Sequence, residues 1–194
     1  MTKNLITFDE KNKVFHLHND QISYLISIED GGTLSHLYFG KSIKAYHGEL
    51  RYPRLDRGFS GNLPGSLDRT FSKDSLPQEY SSAGEMDFRT PAMIVRQPDG
   101  SNAVFLTYEN YQIVPGKPEL KGLPHAWVKN KDEAETLIIT LKDKFSELRF
   151  DLLYTIYRDR SVIVRSTKVR NAGKETVKIE KVASMQIDFV DRDF

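Results

Sequence analysis

The sequence predicts an all-β protein built as a large antiparallel β-sandwich. Three observations carry this. Apolar residues alternate with period two over several stretches, as they do along strands with one face turned to a core. The breaks between those stretches are made of turn residues. No amphipathic segment is long enough to be a helix. The 194 residues allow one large domain with a real core, and 39% hydrophobic with 11% aromatic content marks a globular chain.

Taken in order, the first clear strand is QISYLISIE, in which Ile22, Tyr24, Ile26 and Ile28 share one face. His16 and His18 lie just before it on another strand-like stretch. The Asp30-Gly31-Gly32 turn follows. After Ser101 the spacing becomes regular and suggests sheet packed on sheet. ETLIITLKD and SVIVRSTKVRN are rich in β-branched residues, and in ELRFDLLYTIYRD the residues Leu148, Phe150, Leu152, Tyr154 and Ile156 share one face. The turns here are Pro98-Asp99-Gly100, Arg158-Asp159-Arg160 and Asn171-Ala172-Gly173. Asp132–Leu137 is charged but short and runs directly into a β-rich stretch.

From about Tyr46 to Pro91 the pattern stops. This long irregular loop carries Pro53, Pro64, Pro77 and Pro91 and five glycines. A loop of this length in a compact domain is functional or disordered. Its aromatics (Tyr46, Tyr52, Phe59, Phe71, Tyr80 and Phe88) argue for order, since each can pin the loop to a surface. Its charged set comprises Asp56, Arg57, Asp68, Arg69, Asp74, Glu79, Glu85, Asp87 and Arg89. Carboxylates and guanidinium groups each offer two hydrogen-bonding atoms in a plane and can grip sugar hydroxyls. The same groups can equally make salt bridges and turn caps that hold the loop together.

Charge and composition exclude several classes. Lys plus Arg is 28 and Asp plus Glu is 27, so no basic excess points to nucleic acid or an anionic membrane. With no cysteine, disulfides and thiolate metal sites are excluded. The start of the sequence has no signal-peptide pattern, and apolar runs fall far below the roughly 18 residues of a membrane span. A cytoplasmic location is the expectation. The last residues, VASMQIDFVDRDF, are strand-like and end on Phe194 without a polar tail, as expected for a piece of a longer protein. No phosphate loop, nucleophile elbow or nucleotide fingerprint occurs, and no cofactor is implied. Two carboxylates could run glycoside hydrolysis, but the sequence singles out no pair. His16 and His18, at i and i+2, read as surface or edge histidines more readily than as half of a metal site. Trp127, the single tryptophan, reads as a core or interface anchor more readily than as a platform for a sugar ring.

DRTFSKDSLPQEYSSAGEMDFRTPAMIVRQPDGS resembles the amino-terminal domain of bacterial α-galactosidases of glycoside hydrolase family 36. The resemblance rests on Asp68-Arg69-Thr70-Phe71, Leu76-Pro77-Gln78-Glu79-Tyr80, Asp87-Phe88-Arg89, Pro91-Ala92 and the Gln97-x-Asp99-Gly100-Ser101 turn. Leu37-Tyr38-Phe39-Gly40-Lys41, Asn171-Ala172-Gly173 and Ser184-x-x-Ile187-Asp188-Phe189 extend it over nearly the whole chain. It implies a supersandwich of galactose-mutarotase-like type, preceding a (β/α)₈ catalytic barrel that holds both catalytic aspartates. No catalytic residue is therefore expected among residues 1–194. It also implies hydrolysis, with retention, of terminal α-1,6-linked galactose from melibiose and raffinose-type oligosaccharides by a homotetramer. In such tetramers a loop of this domain reaches a neighbouring subunit's active site. On that basis Asp56, Arg57, Asp68 and Arg69 are the expected substrate-binding residues, although Glu49–Arg57 matches no family pattern residue by residue. The expected partners are an α-galactoside oligosaccharide, the protein's own barrel and neighbouring subunits. The alternative is an autonomous carbohydrate-binding β-sandwich that uses the loop and Trp127.

Overall fold

A computed structural model describes residues 4–48, 52 and 54–188. Expectations that rest on Glu49, Arg51, Pro53, Phe189 or Phe194 concern positions outside the described residues. The described residues form ten strands: β1 (Ile6–Asp9), β2 (Val14–His18), β3 (Ile22–Ile28), β4 (Leu34–Lys41), β5 (Met93–Arg96), β6 (Leu106–Pro115), β7 (Ala134–Asp143), β8 (Leu148–Tyr157), β9 (Ile163–Asn171) and β10 (Lys178–Val182). They make two four-stranded antiparallel meanders, β1-β2-β3-β4 and β6-β7-β8-β9, and a small β10-β5 pair. Among the described residues the only helical turns are 3-10 turns at Asp30–Gly32 and Lys131–Glu133. The all-β antiparallel sandwich is the fold the alternation predicts.

Strand register explains the core. Leu137, Ile139 and Leu141 of β7 lie opposite Tyr154, Leu152 and Phe150 of β8, so one face of that sheet is continuously apolar. On the other sheet Phe15 and Leu17 pair with Ile26 and Tyr24. These residues are buried in one cluster shared by the two sheets, and the Tyr24 and Tyr154 rings lie 6.2 Å apart across it. Burying each such side chain stabilises the fold by about 1.5–3 kcal/mol.

Every predicted turn joins consecutive strands. At Asp30–Gly32 the glycines take φ of 67° and 75°, a region closed to most side chains. A Cβ on Gly32 would also sit 3.1 Å from the Tyr108 amide nitrogen, so this turn lets β6 approach β3 and β4.

One expectation needs correction. The alternation in β3 predicts a half-buried strand, yet Ser23, Leu25 and Ser27 on its second face are buried as fully as the first. The chain after β4 seals that face, where the Ile43 amide donates to Ser23 Oγ at 3.0 Å. Serine hydroxyls find partners there without a charged group having to be buried.

Candidate functional site

Between β4 and β5 the described residues form no strand. Two isolated bridges, Ser35–Gln78 and Ser82–Met93, show where the loop touches the sandwich. Its root behaves as sheet edge in all but name. The His36 amide donates to the Pro77 carbonyl at 2.8 Å, Glu79 to Leu34 at 3.0 Å and Ala92 to Ser81 at 3.1 Å. Leu76 and Tyr80 are buried, and Tyr80 joins the main core.

The loop's buried charges hold the root in place. Glu79 is wholly buried and lies 2.7 Å from Arg165 Nη1 of β9. It also accepts the Tyr24 hydroxyl of β3 at 2.9 and 3.0 Å. Arg165 lies with its guanidinium carbon 4.5 Å from the Tyr154 ring centroid and donates to the Tyr154 hydroxyl and the Gln186 carbonyl. Burial pushes the Tyr24 hydroxyl far above its ordinary range, with the Glu79 charge adding to it, so it stays a donor. Burial works against the Arg165 cation, but Glu79 together with Tyr154, Tyr24 and Tyr80 outweighs it and holds the guanidinium above its usual value. One loop carboxylate is thereby bonded to both sheets.

A second buried pair fixes the middle of the loop. Lys73 Nζ lies 2.5 Å from Glu85 Oε2, both side chains 2% exposed, and 4.0 Å from the Phe105 ring centroid. Glu85 also accepts the Leu106 amide at 2.9 Å. Burial pushes the Lys73 amine down and the Glu85 carboxyl up. Asp87 accepts Gln78 Nε2 at 2.7 Å and Arg89 Nη2 at 2.8 Å, and Arg89 donates on to the Lys73 and Leu76 carbonyls. Burial raises the Asp87 carboxyl, yet the Arg89 bonds outweigh it and leave it below the usual carboxylate range. Glu79, Glu85, Asp87 and Arg89 therefore do the structural work that was the alternative reading of the charged set.

The four expected substrate residues lie in the outer part of the loop and remain exposed. Asp56 and Arg69 pair directly at 3.1 Å, with side chains 59% and 62% exposed. Arg57 pairs with Asp74 at 2.9 Å, and Asp68 with Arg54 at 3.3 Å. Arg54 reaches Asp30 at 3.0 Å as well, which ties this part to the β3–β4 turn. The Asp68 carboxyl is held below its ordinary value by the Thr70 hydroxyl and amide, at 2.6 and 2.8 Å. Asn62 donates to the Arg69 and Phe71 carbonyls and rigidifies the turn between them. The loop thus brings Asp56 and Arg69 together and gives Arg57 and Asp68 separate partners.

The aromatics divide in a way composition did not reveal. Phe71 and Tyr80 are buried and Tyr46 and Tyr52 half-buried, as pinning residues should be. Phe59 and Phe88 are instead exposed, together with Leu55, Leu67 and Met86. Phe59 and Met86 also adopt φ of 59° and 61°, a conformation that costs a non-glycine residue free energy. No sequence pattern flagged these exposed apolar groups.

Two further readings change. His16 is neither a surface nor an edge residue. It lies on the inner strand β2, 7% exposed, with Nε2 2.9 Å from Ser23 Oγ and its ring 4.5 Å from that of His18. No group of three His, Asp or Glu among the described residues could hold a metal ion. Trp127 is not a core anchor, since it is 64% exposed on the β6–β7 connection. Among the described residues no helix is long and apolar enough to cross a membrane.

Residues 32–194 match the glycosyl hydrolase family 36 N-terminal domain. The chain belongs to this family. Individual relatives match this chain over part of their length. The chain is 74% identical over 194 residues to α-galactosidase Mel36A of Lactobacillus acidophilus, covering 100% of this chain and 26% of that protein. It is 64% identical over 190 residues to α-galactosidase 1 of Pediococcus pentosaceus, again 26% of that protein. The crystal structure of the family 36 α-galactosidase AgaB from Geobacillus stearothermophilus superposes with a TM-score of 0.88 at 41% identity, over 95% of this chain and 25% of that one. An AgaA variant from the same organism, in complex with raffinose, gives 0.86 at 43% identity over 91% of this chain and 24% of that one. The chain therefore spans about a quarter of the length of these relatives. Within this family 36 N-terminal domain, Glu79, Glu85 and Asp87 are all buried and engaged with cations or amides.

Proposed function

We propose that this chain is the non-catalytic amino-terminal domain of a cytoplasmic, homotetrameric α-galactosidase. That enzyme removes terminal α-1,6-linked galactose, with retention, from melibiose and raffinose-type oligosaccharides. The sandwich supports a (β/α)₈ barrel supplied by the rest of the protein. The outer loop reaches a neighbouring subunit, where Asp56, Arg57, Asp68 and Arg69 form part of the substrate-site wall. The carrying observation is the loop's division: its root is locked into both sheets, while its outer part presents an exposed Asp56–Arg69 pair beside exposed Phe59 and Leu67. Such a surface suits contact with a partner, since apolar groups gain most when covered and paired charges can turn to hydroxyls. Raffinose and stachyose complexes of AgaA variants support the sugar class.

The test compares this chain alone with the full protein encoded by its gene. A chromogenic α-galactoside should be hydrolysed only by the full protein. In the full protein, Arg69→Ala should lower kcat/KM for raffinose about tenfold or more, the scale of one lost charged contact. Hydrolysis by the chain alone, or an Arg69→Ala enzyme with unchanged kinetics and assembly, would refute the reading.

A further inference from the structure

Trp127 is the shared wall of two open hollows at the far end of the sandwich from the long loop. One, about 550 Å³, has Val162 and Val164 beside Tyr157, with Lys129, Asp159 and Arg160 around them. The other, about 470 Å³, is lined by Pro115, Pro118, His125 and Lys131 among others. Each volume falls in the range of small-molecule sites, roughly 300–1,000 Å³. The long loop meets β6 near its first residues, through the Lys73–Phe105 contact and the Leu106 amide bond to Glu85. Trp127 follows the other end of that ten-residue strand. At about 3.4 Å per residue the two regions lie on the order of 30 Å apart.

The platform is held in place. The Tyr157 hydroxyl donates to the Trp127 carbonyl at 3.4 Å. Glu133 accepts the amides of Lys129 and Asn130 at 3.3 and 3.0 Å, which fixes the chain just past the indole. Arg158 Nε donates to the Asp132 carbonyl at 3.1 Å. Glu133 is thus occupied, and the remaining charged rim groups are Lys129, Asp159 and Arg160; the last two form a loose 3.6 Å pair at 77% and 63% exposure, with the Arg160 guanidinium carbon 5.6 Å from the Tyr157 ring centroid.

We propose that Trp127 and its hollows form a second carbohydrate site, distinct from the long loop, which binds the linked pyranose rings of a neutral oligosaccharide. The chemistry selects that class. An indole offers a flat apolar surface matching the C–H face of a pyranose, and the valines extend it. Asp159 accepts and Arg160 donates hydrogen bonds in planar pairs, which suits vicinal hydroxyls. Lys129, Lys131 and Arg160 add donors and Asp159 an acceptor around the apolar indole and valines, the mixed lining that a polyhydroxylated ring takes. Two hollows sharing one indole hold two or more rings better than one. The choice of raffinose as probe rests on the proposed function, but the existence of the site does not.

Trp127 is the single tryptophan, so its emission reports on this site directly. Titrating the 194-residue chain with raffinose and stachyose should change its fluorescence saturably, with Kd on the order of 1 mM. Galactose alone should bind several-fold more weakly. Asp159→Ala should weaken raffinose binding at least fivefold by calorimetry while leaving Tm unchanged, and Trp127→Ala should abolish it. Arg69→Ala should leave it intact. Absence of a saturable signal to about 50 mM sugar overturns the site. So does binding that survives Asp159→Ala and Trp127→Ala but is lost in Arg69→Ala, an outcome that moves the sugar to the long loop and leaves the proposed function standing.

Discussion

Replacing Arg165 by Met tests whether the loop is locked by charge at its root. The guanidinium is 5% exposed and the Glu79 carboxylate wholly buried, 2.7 Å away. Met fills much of the volume but leaves Glu79 facing the Tyr24 hydroxyl and the His36 ring, 3.5 Å away, without its guanidinium partner. Breaking a buried pair from one side costs about 3–5 kcal/mol, because the remaining charge stays desolvated. For a domain of this size each kcal/mol moves Tm by about 2–4 °C, so a fall on the order of 10 °C is expected in calorimetry. Glu79→Gln added to Arg165→Met removes the orphaned charge and should restore at least half of that loss. A single variant that loses less than about 1 kcal/mol, or a double variant no better than the single, would refute the assignment of loop anchoring to this pair.

Three further outcomes are expected. Burial holds His16 at about 4 against an ordinary value of 6.5, so between these limits the unfolded chain takes up a proton that the folded chain refuses. Stability should therefore fall as pH drops, by about 2 kcal/mol between pH 7 and pH 5, and urea titrations of His16→Asn should lose that slope. Gly84 has φ of 90°, and a Cβ there would lie 2.8 Å from the Ala103 Cα, so Gly84→Ala should cost at least about 2 kcal/mol, seen as a lower urea midpoint with unchanged slope. Phe59→Ser with Leu67→Ser should leave the Tm of the chain within about 2 °C, because both side chains are already in water, and a larger fall would mean that the outer loop carries stability.

The fold was legible where burial writes a period into the sequence. β3, β7, β8 and β9 are legible through alternation or β-branched runs, and the turns after β3, β8 and β9 through Gly, Asp or Asn, whereas the connection 144–147 between β7 and β8 carries no such signal. β10 gave no such signal. KIEKV is mostly exposed and is held by backbone pairing with β5, a bond every sequence can make. The loop was legible as a feature but not in its internal division. Whether a carboxylate is buried depends on a partner brought from elsewhere, and nothing around Glu79 points to Arg165 two sheets and many turns away. Likewise Phe59 and Phe71 look alike in composition, and only the surface available to each decides that one lies in water and the other inside. The exposure of Trp127 was illegible for the same reason, since a lone tryptophan is usually a core residue and no local pattern marks an exposed one.

The bonding of Glu79 to both sheets has a dynamic consequence. The sheets cannot separate without breaking the Arg165 and Tyr24 contacts to the loop, and the loop root cannot peel away without exposing the same charges. The irregular segment around Pro77–Ser81 therefore opens only when the sandwich opens. Its amide hydrogens, such as that of Glu79 on the Leu34 carbonyl, should exchange as slowly as those at the centre of β3. Amides of the outer loop should exchange orders of magnitude faster, dividing one continuous loop into a part that folds with the core and a part that does not.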